Sequence, residues 1–114
     1  MKRDLTAGIV GCACGRDHAC PIRFLKVGAA ALESLPEVCA DYHRVLLVSD
    51  DNTDAVCGDA VRRLLGDKLG FSLVLHADGV VVPDEACIET IEAALDADTD
   101  LILGIGSGVI NDLC

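Results

Sequence analysis

Short apolar runs that alternate with amphipathic stretches constrain the fold of this chain more than any other feature. Three runs, at 44–50, 71–77 and 100–106, carry mostly aliphatic side chains, which is typical of strands buried on both faces of a parallel sheet. A shorter run at 23–28 predicts a further strand. Helix-forming stretches separate the runs. This alternation predicts an α/β fold, a Rossmann-like parallel sheet with flanking helices.

Helices are predicted at about 35–42 and 83–98, and another helix begins at Val109. The longest helical stretch follows the run at 44–50. Asp51 or Asn52 is predicted to cap its start and Gly70 to end it. One helical stripe should face the core. Its residues are Val56, Cys57, Ala60, Val61, Leu64, Leu65 and Leu69.

The length and composition exclude several classes of protein. A chain of 114 residues can form one domain with a hydrophobic core. Its net charge of −10 repels a phosphate backbone, so nucleic acid is not an expected partner. No apolar run approaches the ~20 residues that span a membrane. Seven cysteines cannot all pair within the chain, and we therefore predict a cytoplasmic protein in a reducing compartment.

The segment 1–21 is cysteine-rich and is predicted to form a strand or hairpin ahead of the α/β domain at 22–114. Its donor side chains are Cys12, Cys14, His18 and Cys20. Three thiols and an imidazole are zinc ligands by type, and in a strand the first two cysteines would share a face. The spacing differs, however, from the C-x2-C pairs of common zinc fingers. We therefore favour unligated thiols and assign no metal ligand in this chain.

Asp50 stands where its predicted strand ends, at the edge where parallel sheets bind their ligands. A carboxylate at this place can accept both hydroxyls of an adenosine ribose. The structural alternative is that Asp51 and Asn52 cap a helix and Asp50 belongs to a loop. The segment alone does not separate the two interpretations.

A glycine-rich turn follows the run at 100–106. Gly104, Gly106 and Gly108 alternate, which leaves the backbone open to a phosphate, and Ser107 adds a hydroxyl donor. The turn does not match the dinucleotide-binding motif G-x-G-x-x-G, and many glycine-rich turns after a strand are only tight connections without a ligand. Asp50 also precedes Gly106 instead of following it, so the order differs from the usual dinucleotide fingerprint.

Three segments together resemble a known family. They read VLLVSDDNT, VVVPDEACIETI and DLILGIGSGVIND, and they resemble the N-terminal half of the glycerol-1-phosphate dehydrogenases. These enzymes belong to the iron-type alcohol dehydrogenase and dehydroquinate synthase-like superfamily. The early CACGRDHACPIRFLKVGAAALESL is also similar to the start of bacterial members. The resemblance covers about the whole chain.

The resemblance implies that this chain is the N-terminal cofactor domain of a two-domain enzyme. That enzyme would be an NAD(P)-dependent reductase of a small phosphorylated substrate, dihydroxyacetone phosphate, giving sn-glycerol 1-phosphate. In the family a helical C-terminal domain supplies an Asp and two His ligands for a divalent metal, usually zinc. No catalytic residue is therefore assigned within this chain.

By matching motifs, the resemblance assigns seven residues to cofactor binding. They are Asp50, Asn52, Thr53, Gly106, Ser107, Gly108 and Asp112. The glycine turn would hold the pyrophosphate, Asp50 and its neighbours would face the adenosine end, and Asp112 would point toward the nicotinamide. A carboxylate at Asp50 should also disfavour a 2′-phosphate, so we predict a preference for NAD over NADP.

Family chains are much longer, which predicts that this chain is a piece of such an enzyme and is inactive without the missing C-terminal domain. Faces made for the missing part would favour self-association into a homo-oligomer. Two alternatives stay open. Within the superfamily, a glycerol dehydrogenase or a dehydroquinate synthase-like enzyme would share this half. Outside it, the chain would be a stand-alone flavodoxin-like module that binds a nucleotide or a metal.

Overall fold

The computed structural model describes residue 4 and residues 6–76 and 81–114. The chain forms two compact units, Met1–Ser34 and Leu35–Cys114. The division predicted from the sequence lies earlier, after residue 21.

The first unit contains a hairpin and little other regular structure. An isolated antiparallel bridge joins Ile9 and His18, and Ala31–Ser34 forms a 3-10 turn. The strand predicted at 23–28 is wrong, because these residues have no regular secondary structure and Val27 is 85% exposed. Basic residues interrupt this short run, and no neighbouring strand pairs with it within the described ranges. Residues 1–3 and 5 of the predicted N-terminal hairpin lie outside those ranges.

The second unit is built on a three-stranded parallel sheet. Its strands are β1 (Val45–Asp50), β2 (Leu69–Leu75) and β3 (Leu101–Gly104), in the order β2-β1-β3. In the centre, β1 pairs with both neighbours. The α/β class with a parallel sheet is therefore confirmed, and each of the three strands falls within or close to a predicted run. Ala77, the last residue of the predicted run at 71–77, lies outside the described residues.

Helices cover both faces of the sheet. They are α1 (Leu35–Val38), α2 (Asp51–Thr53), α3 (Asp59–Leu65), α4 (Glu85–Ala94) and α5 (Gly108–Leu113). A π-helical turn, Asp54–Gly58, joins α2 to α3, and a 3-10 turn, Gly66–Lys68, leads into β2. None of the helices in the described part of the chain combines the length and apolar character that a bilayer span requires.

The side chains of β1 alternate between two cores, one on each face of the sheet. Leu46 and Val48 pack with Ile91 of α4 and Ile110 of α5. On the opposite face, Val45 and Leu47 pack with Cys39, Val61 and Leu65. All four β1 side chains are at most 1% exposed. Consecutive aliphatic residues are required here because both faces are covered.

The π turn changes which side of the long helix is buried. A π turn accommodates an extra residue, so positions before it rotate relative to an α-helix. Val56, predicted to face the core, is 84% exposed, whereas Gly58 is buried. The predicted end at Gly70 is also wrong. Gly66 ends the helix with φ of 53° and ψ of −125°, and Gly70 already lies in β2.

Candidate functional site

The topology creates a switch point between the carboxyl ends of β1 and β3. The connection from β1 to β2 runs through α3, which packs on the Val45 and Leu47 face. The connection from β2 to β3 runs through α4, on the opposite face. The helix that follows β3, α5, also packs on the Leu46 and Val48 face, so the helices after β1 and after β3 lie on opposite faces of the sheet. Open α/β sheets bind their ligands in the crevice at such a point.

Asp50 ends β1 at one side of this crevice and caps the helix that follows. Its Oδ1 accepts a hydrogen bond from the backbone N–H of Thr53 at 2.8 Å, and its own N–H donates to Thr53 Oγ1 at 3.0 Å. This reciprocal pair is a capping box. The prediction that Asp51 or Asn52 caps the helix is wrong, because both lie inside α2.

The glycine turn lies at the other side of the crevice and packs tightly on its own helix. A Cβ on Gly106 would lie 2.4 Å from Ile110 Cγ1, and one on Gly104 would lie 2.9 Å from Ile110 Cγ2. A Cβ on Gly108 would meet nothing within 4 Å. Two of the three glycines are therefore explained by packing. The backbone at Gly108 is open.

Strand pairing brings the two sides together. Val48 is opposite Gly104 in the register, and the N–H of Ile105 donates to the carbonyl of Val48 at 2.8 Å. Asp50, at the end of β1, and Gly106, just beyond the end of β3, each follow this pair by two residues. The two strands are about 4.8 Å apart. The carboxylate and the turn, which are 56 positions apart in sequence (106 − 50), thus share one edge of the sheet.

A hollow of about 310 Å³ lies between β3 and α5. Its lining residues are Ile102, Gly104, Gly106, Ser107, Ile110, Asn111 and Cys114. Ser107 is exposed and occupies the N-cap position of α5, where its side chain makes no capping hydrogen bond. Asp112 is exposed and is not among the described residues that line the hollow. Its neighbour Asn111 lines the hollow. The structure therefore groups the turn with Asn111, while Asn52 and Thr53 stay with Asp50.

Sequence reasoning missed one polar pair at the same edge. His76 follows the end of β2, and its Nδ1 contacts Asp51 Oδ1. His76 also lines a second cavity, of about 500 Å³, between β2 and α4. The signal was present in the sequence, because His76 is a polar residue near the end of the run at 71–77, as Asp50 is at the end of the run at 44–50. Three strand ends thus carry polar groups at one edge.

A partly buried ion pair supports the π turn beneath this edge. Arg62 Nη1 donates to Asp54 Oδ1 at 2.7 Å, and the buried Ser49 hydroxyl donates to the same oxygen at 3.1 Å. The guanidinium is the main cause of a lowered pKa at Asp54, and Ser49 adds to it. Arg62 also reaches Ser72 of β2 at 3.2 Å. These hydrogen bonds connect the start of the helix to β1 through Ser49 and to β2 through Ser72.

At the opposite edge of the sheet, carboxylates bind residues that are distant in sequence. Asp100 accepts from the backbone N–H of His43 at 2.8 Å and of Arg44 at 2.9 Å. These bonds, led by that of Arg44, lower the pKa of the Asp100 carboxyl. Arg44 also pairs with Asp96 at 2.6 Å. These acids hold the starts of β1 and β3 together, which is a structural role.

Comparison with known proteins identifies the family. The model of the iron-containing alcohol dehydrogenases matches residues 26–114. The chain belongs to this family. It is 31% identical over 113 residues to the glycerol-1-phosphate dehydrogenase (NAD(P)+) of Geobacillus stearothermophilus, and 31% identical over 110 residues to that of Halalkalibacterium halodurans. The matches cover 90% of this chain but 27% of the length of each relative. No solved structure matches the chain.

Proposed function

We propose that this chain binds NAD(P) across the switch point and serves as the cofactor-binding part of an oxidoreductase. One observation carries the proposal: Asp50 and the glycine turn, distant in sequence, lie at the same carboxyl edge of the neighbouring strands β1 and β3. This is where doubly wound sheets bind nucleotides. The relatives named as NAD(P)-dependent dehydrogenases support the same ligand.

The residues at the edge fit the two ends of a dinucleotide. Oδ1 of Asp50 is used by the capping bond, and within the described ranges Oδ2 has no hydrogen-bond partner, so it can accept from a ribose hydroxyl. The open backbone at Gly108 and the exposed Ser107 hydroxyl can contact the pyrophosphate. We place Asn52 and Thr53 beside the adenosine, and Asp112 toward the nicotinamide. The bound nicotinamide supplies the hydride.

We further propose that the substrate is dihydroxyacetone phosphate, reduced to sn-glycerol 1-phosphate. The names of the two relatives support this choice over a glycerol dehydrogenase or a dehydroquinate synthase-like enzyme. A divalent metal, as in the family, would polarise the ketone and would be held by residues outside these 114. A substrate panel assayed with the natural gene product tests this choice. Reduction of dihydroxyacetone but not of its phosphate would overturn it.

An amide NMR titration of the 114-residue chain with NAD tests the binding site directly. We expect shifts grouped at 50–53 and at 106–109, the two sides of the crevice. Shifts confined to the cavity beside His76 would place the ligand elsewhere and refute the assignment. A folded spectrum that does not change with millimolar NAD would refute cofactor binding by this chain alone.

The variant Asp50→Asn tests the preference for NAD over NADP. An asparagine can keep the capping bond to Thr53, since Asn and Asp cap about equally well, but it removes the charge that repels a 2′-phosphate. We expect unchanged stability and a gain in NADP affinity relative to NAD. Thr53→Ala is the matched control, because it removes one capping bond and leaves the charge. An unchanged NAD to NADP ratio in Asp50→Asn would contradict the role of the carboxylate.

A further inference from the structure

The hairpin in the first unit brings together three metal-ligating atoms, two thiol sulfurs and an imidazole nitrogen. The donor atoms of Cys12, Cys14 and His18 all lie within 4.8 Å of one another, and Cys14 Sγ is 3.1 Å from His18 Nε2. Tetrahedral zinc with bonds of about 2.3 Å to sulfur and 2.0–2.1 Å to nitrogen separates its ligand atoms by about 3.6–3.8 Å. The cluster is therefore already close to the size of a zinc site.

The backbone holds these donors in place. The bridge between Ile9 and His18 closes the hairpin, with N–H to carbonyl distances of 2.8 and 2.7 Å. At its tip the N–H of Gly15 donates to the carbonyl of Cys12 at 2.9 Å, in a turn that needs the positive φ of 84° at Gly15. Asp17 fixes the loop by accepting from the N–H of Gly11 at 2.7 Å. Little reorganisation is needed to bind an ion.

The first unit also lacks the burial that would order it. None of its described residues, 4 and 6–34, is buried. A segment of this size without a core needs another source of order, and small domains commonly take it from a metal or a disulfide. All three cysteines of the segment are free thiols. Metal binding can supply this missing free energy because a bound structural ion stabilises the ordered state.

We propose that Cys12, Cys14 and His18 bind one zinc ion that orders the hairpin, with a fourth position filled by water or another ligand. Two thiolates and an imidazole select zinc over hard cations such as magnesium. Cys20 lies outside the gathered set. The site also lies outside the segment that matches the family model, which begins at residue 26. It is thus a separate structural centre and does not depend on the proposed function.

Metal titration of the 114-residue chain tests the site. With Zn²⁺, and with Co²⁺ as a coloured substitute, we expect one equivalent per chain and a thiolate-to-cobalt absorption band. Cys14→Ser and His18→Ala should weaken binding by more than about 100-fold, since losing even an outer-shell partner costs about 10- to 100-fold. Cys20→Ser and Cys57→Ser are matched controls that should bind as the parent chain does. Equal binding by all variants, or no band in the parent, would overturn the proposal.

Limited trypsin digestion gives an independent readout that does not depend on affinity. Arg16 lies in the loop of the hairpin and is exposed, so cleavage after it reports on order in the loop. Zinc should slow this cleavage in the parent chain and in Cys20→Ser, but not in Cys14→Ser. Circular dichroism of each variant should be unchanged, because the sheet lies in the other unit. Cleavage at the same rate with and without zinc would refute an ordering role.

Discussion

Replacing Gly106 by alanine should destabilise the chain through one contact. The new Cβ would lie 2.4 Å from Cγ1 and 2.7 Å from Cβ of Ile110, whereas carbon atoms in contact are about 3.5–4.0 Å apart. Ile110 is only 1% exposed and packs against β1, so it cannot move away freely. Overpacking of this kind costs about 1–3 kcal/mol.

Gly108→Ala is the matched comparison, two residues away in the same turn. Its Cβ would meet nothing within 4 Å, and its φ is not positive. Alanine at the first residue of α5 should be neutral or stabilise the chain by up to about 1 kcal/mol, because it lowers the entropy of the unfolded state. If the proposed function holds, the same methyl group fills the space beside the backbone where the pyrophosphate binds, and it weakens NAD binding.

Urea unfolding followed by circular dichroism measures both free energies. For a domain of this size 1 kcal/mol corresponds to about 4 °C in Tm, so Gly106→Ala should lower Tm by about 4–12 °C. A free energy of unfolding within about 0.5 kcal/mol of the parent would show that the turn relaxes, and the packing argument would fail. Gly108→Ala that is stable but binds NAD normally would instead refute the pyrophosphate contact at this residue.

Three further predictions follow from the core, the ion pair and the helix end. Leu47→Ala removes a side chain that is 0% exposed and should cost about 2–5 kcal/mol in urea unfolding; a cost below about 1 kcal/mol would contradict the described packing. The lowered pKa of Asp54 means that its contribution to stability is complete above the unfolded pKa of about 3.9 and is lost as pH falls through the folded pKa. Asp54→Asn should therefore lower Tm at pH 7 and flatten the decline of Tm below about pH 4. The control Asp59→Asn replaces a side chain that is 92% exposed and should change Tm little. Equal profiles of Tm against pH for the two variants would refute the role of Asp54. Gly66→Ala places a side chain at φ of 53° and ψ of −125° and should cost about 1–3 kcal/mol, and a thermal scan that shows no loss would contradict that backbone conformation.

The sheet could be predicted from the sequence because its central strand is covered on both faces. Burial of Val45, Leu46, Leu47 and Val48 leaves no polar position, and that pattern is readable without knowing the partners. The run at 23–28 is also apolar in part, but Arg23 and Lys26 interrupt it and no strand pairs with it within the described ranges. Pairing depends on the whole chain, so a short and interrupted run could not show whether a partner strand exists.

The phase of the long helix could not be predicted because it depends on side-chain bonds around a π turn. A regular 3.6-residue period places Val56 inward, but the π turn at 54–58 shifts it outward. That turn is held by the bonds of Asp54 to Arg62 and Ser49. Charged side chains in a helix usually indicate a solvent-facing surface, so a partly buried ion pair could not be expected at these positions.

At the candidate site, positions could be predicted but roles could not. The ends of the runs correctly placed Asp50 and the glycine turn at one edge of the sheet. The sequence did not show that Asp50 is itself the helix cap, or that Gly104 and Gly106 are required by the side chain of Ile110. A residue can serve packing and ligand binding at once, and only paired variants separate the two contributions.

Because β1 is central in the sheet but is made first, it must wait during protein synthesis for both of its partner strands. Leu69 of β2, which pairs with Val45, follows it by 24 positions (69 − 45), whereas Leu101 of β3 follows it by 56 (101 − 45). At roughly 5–20 residues per second, the β3 side of β1 waits about 3–11 s for its partner. Throughout that interval a nascent strand of four consecutive aliphatic residues has at least one open edge. Chaperone binding to the emerging chain should be strongest in this window, and slower translation between β2 and β3 should lower the yield of soluble protein.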